Sequence, residues 1–156
     1  MMYYTHLAFG LLLSLVYIDF FSVESQVIFV FLALFFSLFP DIDESKSKIG
    51  RENKILSKTI NFFFGHRGIF HTIWIPVLLF LILLLFNVKV IIGIAILIGY
   101  ISHLFLDAIT KQGIKPFYPI YNKRISGFIR TNSIIEKGFF IIIIALALYL
   151  VYLLIF

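Results

Sequence analysis

The sequence predicts an all-α fold, an integral membrane helical bundle of about five spans with a short interfacial amphipathic helix. Two observations indicate this fold. Hydrophobic residues make up 62% of the 156 residues and charged residues only 13%. The apolar residues also fall into five continuous runs. A soluble domain of this size keeps most of its surface polar and could not bury so much apolar side chain. The length suits one membrane-embedded domain over residues 1–156.

The five apolar runs cover residues 7–18, 27–39, 73–86, 90–105 and 138–156. Short connections at 19–26 and 87–89 join neighbouring runs into antiparallel hairpins. The first two runs are uninterrupted over about 18–20 Å, whereas the hydrocarbon core is about 30 Å thick. This deficit predicts that the polar groups at their ends lie near or below the acyl boundary. The alternative is local thinning of the membrane or an extension of the helices through residues 20–26.

The remaining segments have distinct compositions. Residues 53–64 mix lysines with isoleucine, leucine and phenylalanine, which predicts a helix lying in the interface. Residues 110–137 contain two prolines and two glycines, which predicts a loop or a short hairpin. No basic region precedes the first run, so we interpret it as a retained membrane segment and not as a signal peptide.

The basic residues are distributed unevenly between the two sides of this topology. Of the 13 Lys and Arg residues, only Lys89 falls on the side opposite the N-terminus. The positive-inside rule therefore predicts a cytoplasmic N-terminus in the cell (inner) membrane. The net charge of +5 is explained by contacts with anionic headgroups, and no nucleic acid partner is expected.

Every histidine and several carboxylates fall at the ends of the predicted spans on the N-terminal side. Ionisable residues at membrane depth are costly and usually have a function. The topology therefore predicts that these groups converge on one cytoplasm-facing site. They are His6, Asp41, Asp43, His66, His71, His103, Asp107 and Glu136.

Taken singly, these motifs permit simpler interpretations. His103 and Asp107 are spaced i, i+4 and share a helix face, which suits two metal ligands or a carboxylate that orients an imidazole. They could equally be a histidine at a helix end beside a solvated aspartate. His66 and His71 converge only if the chain between them is not a continuous helix. Glu136 could be a first-turn carboxylate favoured by the helix dipole.

The chemistry of the donors predicts a divalent metal. The chain has no cysteine, and imidazole with carboxylate suits zinc first, with manganese or iron as alternatives. One catalytic zinc takes about three protein ligands, so the number of candidates allows one or two ions. The predicted ligands are His6, Asp41, His66, His71, His103 and Asp107. The predicted catalytic groups are Asp43 and Glu136 as bases and Arg67 as a clamp for phosphate oxygens.

A metal site that activates water suits hydrolysis. We therefore predict a metallohydrolase that cleaves a phosphoester, with membrane lipid as partner and a phospholipid as the expected substrate. Alternatives are a metal-free lipid phosphatase, a non-catalytic metal-binding membrane protein and a metal or proton transporter. The phosphatase would need Lys-x6-Arg-Pro and Ser-Gly-His motifs, which are absent. The transporter would need ionisable groups along a path, and the third and fifth runs have none.

Several of these motifs together resemble one family. Thr5-His6, Phe39-Pro40-Asp41-Ile42-Asp43, His66-Arg67-Gly68 through His71-Thr72, and Gly99 through His103, Asp107 and Gly113 recur in this order in the YdjM family. The resemblance covers nearly the full chain, and His-Arg-Gly-x-x-His with His-x-x-x-Asp is its most specific part. It implies a membrane-bound, metal-dependent hydrolase. The His/Asp pattern is also distantly similar to that of zinc-dependent phospholipase C.

Overall fold

The computed structural model describes residues 1–43 and 68–156, and its regular structure there is helical. The predicted all-α fold is confirmed. The first described part ends with a short 3₁₀ helix, Phe39–Asp43. A second short 3₁₀ helix, Ile69–His71, lies at the start of the other described part. The predicted interfacial helix at residues 53–64 lies outside the described residues. Within the described residues the α-helices are α1 (Tyr3–Phe20), α2 (Gln26–Phe36), α3 (Trp74–Leu85), α4 (Val90–Ala108) and α5 (Ile134–Ile155).

Four segments of the described chain are long and apolar enough to cross a membrane. The first two are each 18 residues long, because α1 extends beyond its apolar run and α2 continues into the 3₁₀ helix. The deficit in length expected from the uninterrupted runs is therefore much reduced. The extension predicted through residues 20–26 is wrong, because residues 21–25 are not helical and the added length lies at the start of α1 and in the 3₁₀ helix after α2. The four segments are Tyr3–Phe20, Gln26–Asp43, Val90–Ala108 and Ile134–Ile155.

The third predicted span is the shorter apolar helix α3, whose 12 residues extend only about 18 Å. It still joins the two ends of the bundle. His71, just before α3, lies 3.2 Å from Asp43 at one end. Lys89, just after α3, lies 2.6 Å from Glu24 in the connection between α1 and α2 at the other end. Residues 1–43 and 68–156 therefore pass between the two ends five times, as the sequence predicted.

Helices α1, α2 and α4 pack against one another, while α5 packs on α1 and α3 packs on α4. Large apolar side chains remain exposed along α3 and α5, as expected for helices surrounded by lipid. Two clusters of buried apolar residues lie between the helices. One contains Ile18, Val23, Phe29 and Ala95, and the other contains Tyr100, Leu104 and Ile114.

Two glycines allow α2 to approach its neighbours closely. A Cβ atom on Gly99 of α4 would lie 2.2 Å from the carbonyl oxygen of Ala33 in α2. A Cβ atom on Gly10 of α1 would lie 2.8 Å from the Cβ of Ser37. Small residues permit such backbone contacts in membrane bundles. The end of α2 is consequently held against both α1 and α4, close to the histidines of those helices.

The connection between α4 and α5 lies at the end of the bundle that also contains the start of α1. It is a loop with two isolated bridges, Thr110 with Ile129 and Ile114 with Ile125, as predicted for this segment. The assignment of this end to the cytoplasm rests on the distribution of basic residues and stays a prediction.

Candidate metal centre

Five of the predicted site residues meet at this end of the bundle. Four elements supply them: α1, α4 and the two 3₁₀ helices that follow α2 and precede α3. Four of the side chains are fully buried, and Asp41 alone keeps 13% of its side chain exposed. The five residues are His6, Asp41, His71, His103 and Asp107.

The hydrogen bonds of two histidines fix which ring nitrogen carries the proton. Nδ1 of His103 lies 2.8 Å from the carbonyl oxygen of Ser37, and Nδ1 of His71 lies 3.2 Å from Oδ2 of Asp43. A carbonyl and a carboxylate can only accept, so both Nδ1 atoms donate. In the neutral form of each ring, Nε2 then presents a lone pair. This arrangement, in which an outer acceptor holds the imidazole, is the usual one for metal-binding histidines.

The two Nε2 atoms of His71 and His103 lie only 3.3 Å apart. Two lone pairs at this distance repel unless a cation, either a proton or a metal ion, lies between them. Oδ2 of Asp107 lies 3.6 Å from Nε2 of His71 and 3.8 Å from Nε2 of His103. Ligand atoms of one tetrahedral zinc at 2.0–2.1 Å are about 3.3–3.4 Å apart. The three donors therefore fit a single ion after small adjustments.

Asp41 and His6 complete the cluster beside His103. Oδ1 of Asp41 lies 3.7 Å from Nε2 of His103 and 4.0 Å from Nε2 of His71. The ring of His6 stacks on that of His103, with centroids 4.0 Å apart. His6, Asp41 and His103 thus form a second possible ligand triad beside His71, His103 and Asp107. Both triads contain His103.

The buried imidazole of His6 makes no hydrogen bond with the described residues. Its Nε2 is 3.5 Å from Oδ1 of Asp107, at the limit for such a bond. A buried polar group usually has a partner, because leaving it without one costs about 1–3 kcal/mol. The position of His6 therefore also suits a site that takes up a cation or a substrate.

Asp43 lies behind the cluster and not within it. Its fully buried carboxylate accepts a hydrogen bond from Nδ1 of His71 and so orients that ring. The sequence predicted Asp43 as a catalytic base, and the contact with His71 instead suits a positioning residue. His66 and Arg67 lie outside the described residues.

Glu136 has a different position from the one predicted for a catalytic base. Its Oε1 accepts hydrogen bonds from the backbone N–H of Met2 at 2.6 Å and the hydroxyl of Thr5 at 3.2 Å. Its Oε2 accepts from the backbone N–H of Asn132 at 2.6 Å. Glu136 therefore fastens the start of α5 to the start of α1, next to His6. Among the described residues it belongs to neither possible ligand triad.

The site also contains groups that the sequence did not reveal. The carbonyl of Ser37 orients His103, and a backbone carbonyl has no sequence signal. The amino group of Met1 lies 2.6 Å from Oδ1 of Asp107. The hydroxyl of Tyr100 donates to the carbonyl of Phe70 at 2.7 Å and holds the backbone just before His71. A tyrosine within an apolar run was the one signal that could have indicated such a role.

These observations define an all-helical integral membrane protein with a buried imidazole and carboxylate site at one end of its bundle. The chain belongs to the family described as YdjM inner membrane protein, whose model matches residues 1–156. The predicted family is confirmed, and so is the predicted membrane location. None of the comparisons shows the similarity to phospholipase C.

Two relatives illustrate the family. The chain is 37% identical over 102 residues to the uncharacterized protein YvsG of Bacillus subtilis, covering 65% of this chain and 64% of the relative. It is 36% identical over 95 residues to the inner membrane protein YdjM of Escherichia coli, covering 56% of this chain and 47% of the relative. The match thus spans about half to two thirds of these relatives. No solved structure matches the chain.

Proposed function

We propose that this protein is a membrane-embedded, metal-dependent hydrolase that cleaves a phosphoester. The observation that supports it most directly is the pair of Nε2 lone pairs of His71 and His103, which face each other at 3.3 Å beside Asp107. Three protein ligands with a remaining open position are typical of catalytic zinc. A divalent ion held there would supply a Lewis acid and a means of activating water.

The described residues suit one ion better than two. Nδ1 of His103 donates to Ser37, so only its Nε2 is available, and one lone pair serves one ion. If His71, His103 and Asp107 hold that ion, Asp41 and His6 are left for proton transfer. The carboxylate of Asp41 is the partly exposed member of the cluster and suits a general base. The imidazole of His6, beside Asp107, suits the storage of a proton at Nε2.

The basic charge around this end of the bundle, which suits contacts with anionic headgroups, is also compatible with a phosphoester substrate. The loop between α4 and α5 carries basic side chains that are exposed, among them Lys111, Lys123, Arg124 and Arg130. Lysine and arginine bind phosphate oxygens through charge-assisted hydrogen bonds. A neutral ester would gain nothing from them. Arg67, which directly precedes the described residue Gly68, remains a candidate for the same role.

Two alternatives use the same cluster. An ion could serve only to hold α1, α4 and the two 3₁₀ helices together, without catalysis. A transporter would need ionisable groups at several depths. The interiors of α3 and α5 carry no Asp, Glu, His, Lys or Arg, which disfavours a path. The structural ion is therefore the alternative that an experiment has to exclude.

The test combines metal analysis with hydrolysis assays on detergent-purified protein. We expect about one zinc, manganese or iron ion per chain and hydrolysis of a phosphodiester or phosphomonoester that a chelator abolishes. Asp107→Asn should lose both the ion and the activity. Asp19→Asn, an exposed carboxylate at the other end of the bundle, is the matched control and should keep both.

The other outcomes identify the alternatives. A bound ion without hydrolysis of any phosphoester would leave a structural metal site. Protein that is folded and active but free of metal would mean that a proton, not a metal ion, lies between His71 and His103. Two ions per chain would contradict the single-ion arrangement.

A further inference from the structure

The loop between α4 and α5 exposes large apolar and basic side chains next to one another. Its exposed apolar and aromatic side chains, with exposed fractions of 36–79%, are Phe117, Tyr118, Ile120, Tyr121, Ile125 and Phe128. Its basic residues are Lys111, Lys115, Lys123, Arg124 and Arg130. The sequence contains no Asp or Glu between Asp107 and Glu136, and none of these basic residues forms an ion pair within residues 1–43 and 68–156. An apolar patch that carries uncompensated positive charge indicates an interaction surface.

The backbone of this loop is fixed against the bundle. Ile114 is buried in one cluster with Tyr100 and Leu104 of α4. The carbonyl oxygen of Pro116 accepts a hydrogen bond of 2.9 Å from the backbone N–H of Ile73, just before α3. The exposed side chains between these contacts and the start of α5 are therefore held at a defined level of the bundle.

The loop lies where two spans reach the surface of the membrane, because it joins α4 and α5, which are both long and apolar enough to cross a bilayer. Other aromatic side chains mark the same level. Trp74, the one tryptophan of the chain, follows the residue that is bonded to Pro116 and is 39% exposed. Tyr4, at the start of α1, is 62% exposed. Tryptophan and tyrosine are enriched where the bilayer meets water, and Tyr118 and Tyr121 of the loop extend this aromatic belt.

We propose that the loop between α4 and α5 lies on the headgroup layer and binds anionic phospholipids of the adjoining leaflet. Its aromatic rings contact the region between acyl chains and headgroups, and its lysines and arginines contact lipid phosphates. Anionic lipids complement its uncompensated positive charge, whereas zwitterionic lipids have no net charge to offer. A soluble anionic partner would use the charge but leave Ile120 and Phe128 in water. The inference does not depend on hydrolysis.

The first test measures lipid preference with a reporter in the loop. Trp74→Phe combined with Phe117→Trp gives a single tryptophan there, and the protein is reconstituted in phosphatidylcholine that contains either dibrominated phosphatidylglycerol or dibrominated phosphatidylcholine. We expect phosphatidylglycerol to associate about fivefold more strongly, the scale of one basic contact with anionic lipid, as measured by fluorescence quenching. Lys123→Gln with Arg124→Gln and Arg130→Gln should remove this preference, and so should high salt. Lys89→Gln, at the other end of the bundle, is the matched control and should leave it unchanged.

The second test measures depth. The same reporter, and a second one with Trp74→Phe and Phe128→Trp, should be quenched strongly by lipids brominated near the glycerol and weakly by acrylamide in the water. Equal quenching by the two lipid classes, or a preference that the triple substitution leaves intact, would overturn the anionic lipid site. Strong quenching by acrylamide without quenching by brominated lipids would also overturn it, because the loop would then face water and suit a soluble partner. None of these outcomes involves the metal centre, so the proposed hydrolase is tested separately.

Discussion

The two ends of the bundle use ionisable residues in opposite ways. At one end, the imidazoles of His6, His71 and His103 are fully buried beside buried or nearly buried carboxylates. At the other end, Glu24 and Lys89 form one ion pair at 2.6 Å, with 79% and 70% of their side chains exposed. The exposed pair is solvated and contributes little to stability. The buried cluster loses its hydration and therefore has to be compensated by contacts within the site.

This contrast indicates where function resides. A buried polar group is retained only if the surrounding structure supplies its partners or if a ligand does. Some partners are visible: Ser37 for His103, Asp43 for His71 and Glu136 for the start of α1. These contacts involve neither the facing Nε2 atoms of His71 and His103 nor the imidazole of His6. The end with the exposed pair contains nothing comparable in the described part of the chain.

Replacing His103 would test the contrast most severely, because both possible ligand triads contain it. We expect His103→Gln to lose the bound ion and to reduce hydrolysis by more than the 10–100-fold typical of residues that only orient ligands. Metal content and kcat of detergent-purified protein check this. Asp19→Asn at the opposite end serves as the control. Full metal content in His103→Gln would show that the ion is bound elsewhere and would contradict the assigned difference between the two ends of the bundle.

Asp43→Asn would sharpen the distinction between binding a metal and orienting a ligand. The amide can still meet Nδ1 of His71 through its oxygen but no longer carries the charge that strengthens the imidazole as a ligand. We expect a loss of about 10–100-fold in metal affinity with the fold retained. A metal titration with a competing chelator measures the affinity. If Asp43 is instead the catalytic base, the affinity will be unchanged and only kcat will fall.

The sequence revealed the fold and most of the cluster for one physical reason. Continuous apolar runs predict membrane helices, and their number and order assign each histidine to an end of the bundle. His103 and Asp107 were paired by helix periodicity alone. The elongation of α1 to Tyr3 and Phe20 was less accessible, because apolar runs underestimate helices that continue into polar residues.

The roles of individual carboxylates could not be predicted from the sequence. Asp41 and Asp43 are two residues apart, yet one faces the cluster and the other lies behind His71, because a 3₁₀ turn separates them. Glu136 binds the start of α1 through contacts between residues more than 130 positions apart. Such assignments depend on tertiary contacts.

The orientation of the bundle, by contrast, can be predicted from the basic residues and tested by reporter fusions at Gln26 and Phe156, which should both report the non-cytoplasmic side.

Glu136→Gln tests whether burial always means catalysis at this end of the bundle. The glutamine amide has only one oxygen, so its NH2 group would face the backbone N–H of either Met2 or Asn132. That N–H would then have no acceptor. We expect a loss of about 1–3 kcal/mol in stability, the cost of an unsatisfied buried group. The specific activity and metal content of the folded fraction should remain close to those of the native protein. Thermal unfolding in detergent and assays of the folded fraction measure both, and a large drop in kcat with native stability would restore Glu136 as a catalytic base.

The smallest effect is expected from the exposed pair. The hydrogen bond and charge of Lys89 lower the pKa of Glu24, and those of Glu24 raise the pKa of Lys89. Because the pKa of Glu24 is lowered in the folded state, its contribution is present above its unfolded pKa and lost as the pH falls through the folded value. Lys89→Met should therefore leave Tm in detergent nearly unchanged at neutral pH. Any difference should vanish in acid, where Glu24 is protonated, or in high salt, where the charges of the pair are screened.

Lys123→Met, which replaces an exposed lysine at the end of the bundle with the site, is the control. A large, salt-insensitive drop in Tm for Lys89→Met alone would mean that the pair is held as firmly as the buried cluster, and the contrast between the two ends would fail.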